Sequence, residues 1–333
     1  MIRCDFIKPQ CETAVDLDNK SLNVTLDTYE KRRGKVIQTD LLAHEIDWLL
    51  TSPPLLTPKA HPRILAQGAN RALLPWLARQ ALENTSVFED MLAQRRSTRL
   101  GIRYETLWQF LYKQTPNCKI LASNLPVRDT TRTLGEFDLL YQKMSQPAPR
   151  YIHQEMAIKF YLGKPCSQGN WFDWIGPDHS DQLGVKMKKM FDSQIRLSHT
   201  DDGKRVLNQL TGHQIWEQEL LIQGYLFYPW NKPCQAPDNS HPRHLRGDWL
   251  PLKQLRQYCE SLGTDAFLIP PRQFWLSLQA PSEELTALLT VYSLSDFSSS
   301  LTQHITQTNK PILATAELLS GTRKLFFVTP DHW

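Results

Sequence analysis

The sequence predicts an α/β fold: one helix, a three-stranded meander, a second helix and a further strand at the centre, with an N-terminal helical extension and a smaller C-terminal α+β region. Three observations carry that expectation. Across residues 96–230 apolar positions recur at helical spacing, then at strand spacing in three successive runs, then at each spacing again. The 333 residues amount to about two domains. A content of 41% hydrophobic and 22% charged residues supplies a sizeable core and excludes a disordered chain.

Composition narrows the class further. The 38 Lys and Arg against 34 Asp and Glu leave only +4, so no global field draws the chain to nucleic acid, and an anionic partner must meet a local patch. Six scattered cysteines lack the paired C-x-x-C of structural zinc, disulfides are not expected, and a reducing cytoplasm fits. Arg3 and Asp5 stand where a signal peptide would run apolar. The longest apolar stretch, from Leu220, is too short to span a bilayer, so a cytoplasmic protein with no membrane partner is expected.

Residues 1–95 read as the N-terminal extension and packing helices. The first 38 residues have no sustained period, whereas Leu42, Ile46, Leu49 and Leu50 follow a Thr39-Asp40 cap at helical spacing until Pro53-Pro54. A second helix is expected over 69–83 and a third over 98–114, the third apolar around most of its circumference and hence buried on several sides. Strands follow over 119–124, 134–142 and 151–162. A long amphipathic helix is expected from an Asp178 cap to about residue 198, then a shorter helix over 201–210 and an apolar strand over 218–228. The Pro-rich segment 229–242 reads as the boundary ahead of the region 243–333, where helical stretches (252–262, 293–305) alternate with strand-like ones (266–270, 311–318, 325–329).

The chemistry concentrates in two strands. In LGEFDLLY, Glu136 and Asp138 alternate with Phe137, Leu139 and Tyr141, so both carboxylates project from one face. In IHQEMAIKFYL, His153, Glu155, Ala157 and Lys159 share a face. If the strands pair, Asp138, Glu155 and Lys159 converge on a common volume that small Ala157 leaves open. Their oxygens are hard ligands suited to Mg²⁺ or Mn²⁺, and a lysine there can orient water and meet charge on a phosphate.

This order of elements, with Asp on the second strand and Glu and Lys on the third, resembles the PD-(D/E)XK nuclease-like superfamily. The wording is more similar still to a bacterial family known as domain of unknown function 1853. The pieces that carry the likeness are RLGIRYETLWQFL, NLPVRD, TLGEFDLL, HQEMAIKFYLG, WIGPDHSDQLGVK and SQIRLS, with later echoes in QGYLFYP and LRGDWL. The resemblance implies a metal-dependent nuclease in which Asp138 and Glu155 hold Mg²⁺ or Mn²⁺, Lys159 is the catalytic lysine, and Glu105 contributes from the first helix, with Glu136 a further candidate acid. From the helix after the sheet, Lys186 can contact phosphates of a DNA or RNA substrate and Gln194 can contact a nucleotide. The superfamily acid normally stands two residues before the lysine, yet position 157 is Ala and Glu155 lies four residues back, roughly 13 Å along a strand. A bulge, a lysine leaning back, an acid supplied by Glu136 or Glu105, or loss of catalysis would each accommodate that spacing.

Blander readings stand beside these. The strand charges suit a solvated face with cross-strand ion pairs, His153 suits a bond to a neighbouring carbonyl, and Lys186, Lys188 and Lys189 suit the exposed back of a helix. Gln194 equally suits a cap or a core hydrogen bond, and the Cys234, His241 and His244 spacing matches no standard zinc site. No P-loop, Rossmann or nucleophile-elbow motif is present. The expectation is a Mg²⁺-dependent phosphodiesterase acting on nucleic acid. The alternatives are an inactive nuclease-fold module that binds nucleic acid or a protein partner, and a purely structural partner protein.

Overall fold

In the computed structural model the residues described are 40–65, 79, 83–95, 97, 99–145 and 147–333. The expected extension 1–38 and most of the helix expected over 69–83 lie outside them. Residues 41–333 form one compact unit.

Helix α1 (40–51) ends before Pro53 as its pattern predicts. Helix α2 (Thr85–Ala93) leads to α3 (Leu100–Gln114), which buries Tyr104, Leu107, Phe110 and Leu111 and stops ahead of Pro116. Arg103 grips the buried Glu45 carboxylate with two 2.6 Å hydrogen bonds and so ties α1 to α3. Strands β1 (Cys118–Arg128), β2 (Thr133–Lys143) and β3 (Arg150–Gly163) form the expected antiparallel meander. After the short β4 (Trp174–Ile175) come α4 (Leu183–Lys189), a π-helical turn (Met190–Gln194) and α5 (Asp201–Thr211). The chain then re-enters the sheet as β5 (Trp216–Pro229), parallel to β3.

The single helix expected from Asp178 to about residue 198 is instead α4, the π-helical turn and a separate short turn of 3-10 helix at Leu197–His199. Asp178 caps no helix; its carboxylate accepts from the amide and hydroxyl of Ser180 in a local turn, and α4 begins only after Gln182. The segment 230–244, which holds most of the expected boundary 229–242, connects β5 to the neighbouring parallel strand β6 (Leu245–Pro251). Helix α6 (Leu255–Leu262), strand β7 (Phe267–Leu268), helices α7 (Ser282–Thr286) and α8 (Leu294–Thr308) and strands β8 (Ile312–Glu317) and β9 (Arg323–Thr329) complete the chain. The sheet runs β1-β2-β3-β5-β6-β9-β8-β7, with β4 against β3.

Both faces of the sheet are covered, which is why β3 and β5 are buried almost throughout. Tyr104, Leu107 and Phe110 of α3 pack with Leu139, Ile152, Met156 and Phe160 on one face. On the other, Leu183, Met187 and Met190 pack with Ala157, Tyr161, Leu220 and Ile222, so the space beside Ala157, expected to be open to a ligand, is occupied by core. Among the described residues no helix is long and apolar enough to cross a membrane.

One glycine sets the spacing of the two central strands. Gly224, at φ +141°, is the register partner of Lys159, and a Cβ on it would lie 1.7 Å from the Lys159 carbonyl oxygen. No side chain fits there, and non-glycine residues avoid that φ. Gly224→Ala is expected to lower stability by on the order of 3 kcal/mol or more, read as a drop in the urea midpoint. An unchanged midpoint would contradict the close approach.

Candidate active site

The candidate site lies where β2 and β3 part. Their pairing runs from Lys143 opposite Arg150 to Leu139 opposite Gln154 and ends there. One residue on, Asp138 Oδ2 accepts the Met156 amide at 3.0 Å, so a side chain takes the place of a backbone acceptor. The β1 register is unchanged at the same level, but its backbone departs from strand geometry at Asn124. Asn124, with φ +51°, stands between Ser123 opposite Leu139 and Leu125 opposite Phe137, and the register carries no Asn124–Asp138 pair. The strand faces shift accordingly. Phe137 joins Leu140 and Val127 in one cluster, while Leu139 and Tyr141 belong to the core against α3, so the strict Phe137-Leu139-Tyr141 alternation expected from sequence breaks at Asp138.

Glu155 is fully buried, and each of its oxygens has a partner. His153 Nε2 lies 2.8 Å from Oε1, and Gln194 Nε2 donates to Oε2 at 2.8 Å. Burial holds the His153 pKa down at about 3, so the ring is neutral, and Nε2 shares a hydrogen bond with Glu155 while Nδ1 has no partner. Gln194 reaches Glu155 because the π turn, closed by Ile195 N to Met190 O at 3.0 Å, swings the end of the helix toward the sheet. Its other end accepts from Lys186 Nζ at 3.0 Å.

The Asp138 and Glu155 carboxyls lie close enough to act on one another electrostatically. Both pKa values are pushed up to about 7, first by burial; for Asp138 the Glu155 charge adds to this, while the charge of Lys186 pulls both down. The two titrate as a pair that retains a proton near neutrality. Glu105, half-buried on α3, is raised to about 7 by burial and then by the Asp138 charge, and it accepts from Asn124 Nδ2 at 3.3 Å. Glu136 is exposed and bears on the group through its charge on Glu105.

The lysines divide differently from the spacing argument. The β3–β5 register is continuous from Tyr151 to Leu162, so no bulge shortens the path from Glu155 to Lys159. Lys159 Nζ donates instead to Asp181 Oδ2 at 2.6 Å, and Tyr161 donates to the other oxygen of Asp181 at 3.1 Å. The ammonium whose charge acts on both Asp138 and Glu155 is that of Lys186, from α4. Its own pKa is lowered by burial and by nearby Lys159, against the pull of the two acids.

The structure thus brings Asp138, Glu155, Lys186 and Gln194 together, with Glu105 alongside; Lys159 is turned to Asp181 and Glu136 to solvent. Sequence reasoning missed His153 as the group that orients Glu155, although its i, i+2 spacing on a strand was the available signal. Among the described residues no three His, Cys, Asp or Glu side chains converge to hold a metal ion. The donor set is two adjacent carboxylates, which suits Mg²⁺, an ion that usually keeps several waters and shares phosphate oxygens with its substrate.

A family model described as a domain of unknown function, DUF1853, matches residues 44–324, and the chain belongs to that family. No curated protein and no solved structure matches the chain.

The raised carboxyls carry a stability signature. Asp138, Glu155 and Glu105 keep protons in the folded state that the unfolded chain loses near pH 4, so their contribution is fullest below that pH and is lost as pH rises through about 7. In chelator, the urea midpoint is expected to fall between pH 5 and 8. Asp138→Asn, which removes one of the conflicting charges, is expected to flatten that fall; identical pH profiles for the two proteins would contradict the clustered-acid description.

Proposed function

We propose that the segment from α3 through the meander and α4 to β5 is a PD-(D/E)XK-like core, and that the protein is a Mg²⁺-dependent phosphodiesterase acting on nucleic acid. The observation that carries this reading is the Asp138–Glu155 pair, with Asp138 Oδ2 accepting the Met156 amide beside the buried Glu155 at the point where β2 and β3 part. The parallel pairing of β3 with β5 and the π turn beside the acids support it.

Asp138 and Glu155 are the residues that would hold the ion, Mg²⁺ or Mn²⁺. Bound there, it would act as a Lewis acid and lower the pKa of a coordinated water. The chain supplies the rest. His153 and Gln194 fix the orientation of Glu155, so the carboxylate does not have to be ordered when substrate arrives. Lys186 adds the positive charge that offsets the developing negative charge on the phosphoryl oxygens. Glu105, at about 7, titrates in the range that suits a general base or acid. Lys159, the lysine of the resemblance, orders Asp181 next to this group.

A second reading is that of an inactive nuclease-fold module binding nucleic acid or a protein partner. The Lys159–Asp181 ion pair favours it, because that pairing draws the strand lysine away from the acids.

Single-stranded, duplex and branched DNA and RNA incubated with Mg²⁺ or Mn²⁺, with a chelator control, test the two readings. Wild type is expected to cleave at least one substrate and Asp138→Ala none. Lys186→Met is expected to lower kcat by about 10²-fold or more at nearly unchanged metal affinity, and Lys159→Met by less. Cleavage that persists in Asp138→Ala contradicts the assignment, and absence of cleavage by wild type favours the binding module.

A further inference from the structure

We infer that the cleft beside the π turn is a binding track for the phosphodiester backbone of a nucleic-acid strand, running along α5 away from the acid pair; its direction rests on the phosphodiesterase reading. Two hollows of about 310 and 420 Å³ meet at His199 and Gln218, which line both. Arg63 and Arg196 line the first and Lys204 and His213 the second, and a third hollow along α5 continues past Lys204 to Arg205.

The track adjoins the candidate site through the backbone itself. Gln218 on β5 is the register partner of His153, the residue that holds Glu155. Ile195 and Arg196 directly follow Gln194. His61, at the near end, stacks on Phe191 of the π turn with ring centroids 4.7 Å apart. The same turn therefore shapes the cleft and orients the acid.

Its charge is unbalanced. Arg63, Arg196 and Lys204 are exposed and form no ion pair among the described residues. The acids close by are already engaged: Asp192 with Lys188, Asp202 with Arg205 and Glu217 with Arg150, which leaves Asp201. After burial, the charges of Arg63 and Arg196 are what hold the His61 pKa down, against the weaker opposing pull of Asp192. In a chain with a net charge of only +4, this is a local patch of the kind an anionic partner requires. Side chains of this type that meet a backbone at successive phosphates give sequence-independent, salt-sensitive binding.

The test compares wild type with the triple variant Arg63→Gln, Arg196→Gln, Lys204→Gln and with a control pair outside the cleft, Lys232→Gln, Lys310→Gln. Binding of labelled single-stranded DNA, duplex DNA and single-stranded RNA is followed by fluorescence anisotropy in chelator across a salt series. Cleavage of bis(p-nitrophenyl) phosphate with Mg²⁺ is measured in parallel. For at least one of the three strands, the triple variant is expected to bind about tenfold or more weakly, with a log–log salt slope smaller by about 2 to 3, roughly one unit per lost phosphate contact. The control pair keeps the wild-type slope, and cleavage of the small diester is the same in all three proteins. A triple variant with the wild-type slope overturns the track, as does a wild type that binds none of the strands. If no substrate is cleaved but the slope falls as expected, the phosphodiesterase reading fails and the track stands. If cleavage is seen and the slope does not move, the track fails and that reading stands.

Discussion

The 3.0 Å hydrogen bond from the Met156 amide to the Asp138 carboxyl is the contact on which the candidate site depends. A buried amide in a central strand must find an acceptor, and at this point β2 no longer offers one from its backbone. The acceptor is a carboxyl group, so satisfying the sheet also draws Asp138 against Glu155. Two acids in contact, one of them fully buried, cannot both ionise at ordinary carboxylate values. The end of the β2–β3 pairing and the closeness of the two acids are consequences of one geometric fact, and burial then raises both pKa values.

The surrounding elements restrain that pair. Gly224 lets the β5 backbone close on the Lys159 carbonyl, which keeps β3 straight and in continuous register past the site. The π turn trades one regular helical turn for a Gln194 that spans Lys186 and Glu155. His153 closes the other side of Glu155 at the cost of leaving its own Nδ1 without a partner. An unpartnered buried nitrogen is disfavoured unless the geometry it secures has a use, and here it secures the carboxylate.

Much of this was legible in the sequence. Period-2 alternation located β3 and put His153, Glu155 and Lys159 on one face, and Pro116 marked the end of α3. The pattern of charged strand faces placed Asp138 near Glu155, but the structure brings them together where the pairing ends and the alternation breaks at Asp138. Three features were not legible. A π turn leaves no mark in apolar spacing, since the expected helix keeps its buried Met187 and Met190 on either side of the change. The lysine that serves the acids comes from α4 and not from β3, a choice made by tertiary packing and by the competing Asp181. Ala157 looked like open space because it is small and the residues two places away on its strand face, Glu155 and Lys159, are charged, but Met187 and Met190 from another element share its cluster.

The central claim is that Asp138 and Glu155 together bind a divalent cation in exchange for the proton they hold, and the most direct measurement is calorimetric. Mn²⁺ titrated at pH 6.5 into wild type and Asp138→Asn, in buffers of different ionisation enthalpy, reports stoichiometry and proton release together. Binding near one ion per chain with release of roughly one proton, both lost in Asp138→Asn, is the result expected from a coupled pair titrating at about 7. Equal heats for the two proteins, or binding without proton release, would contradict it.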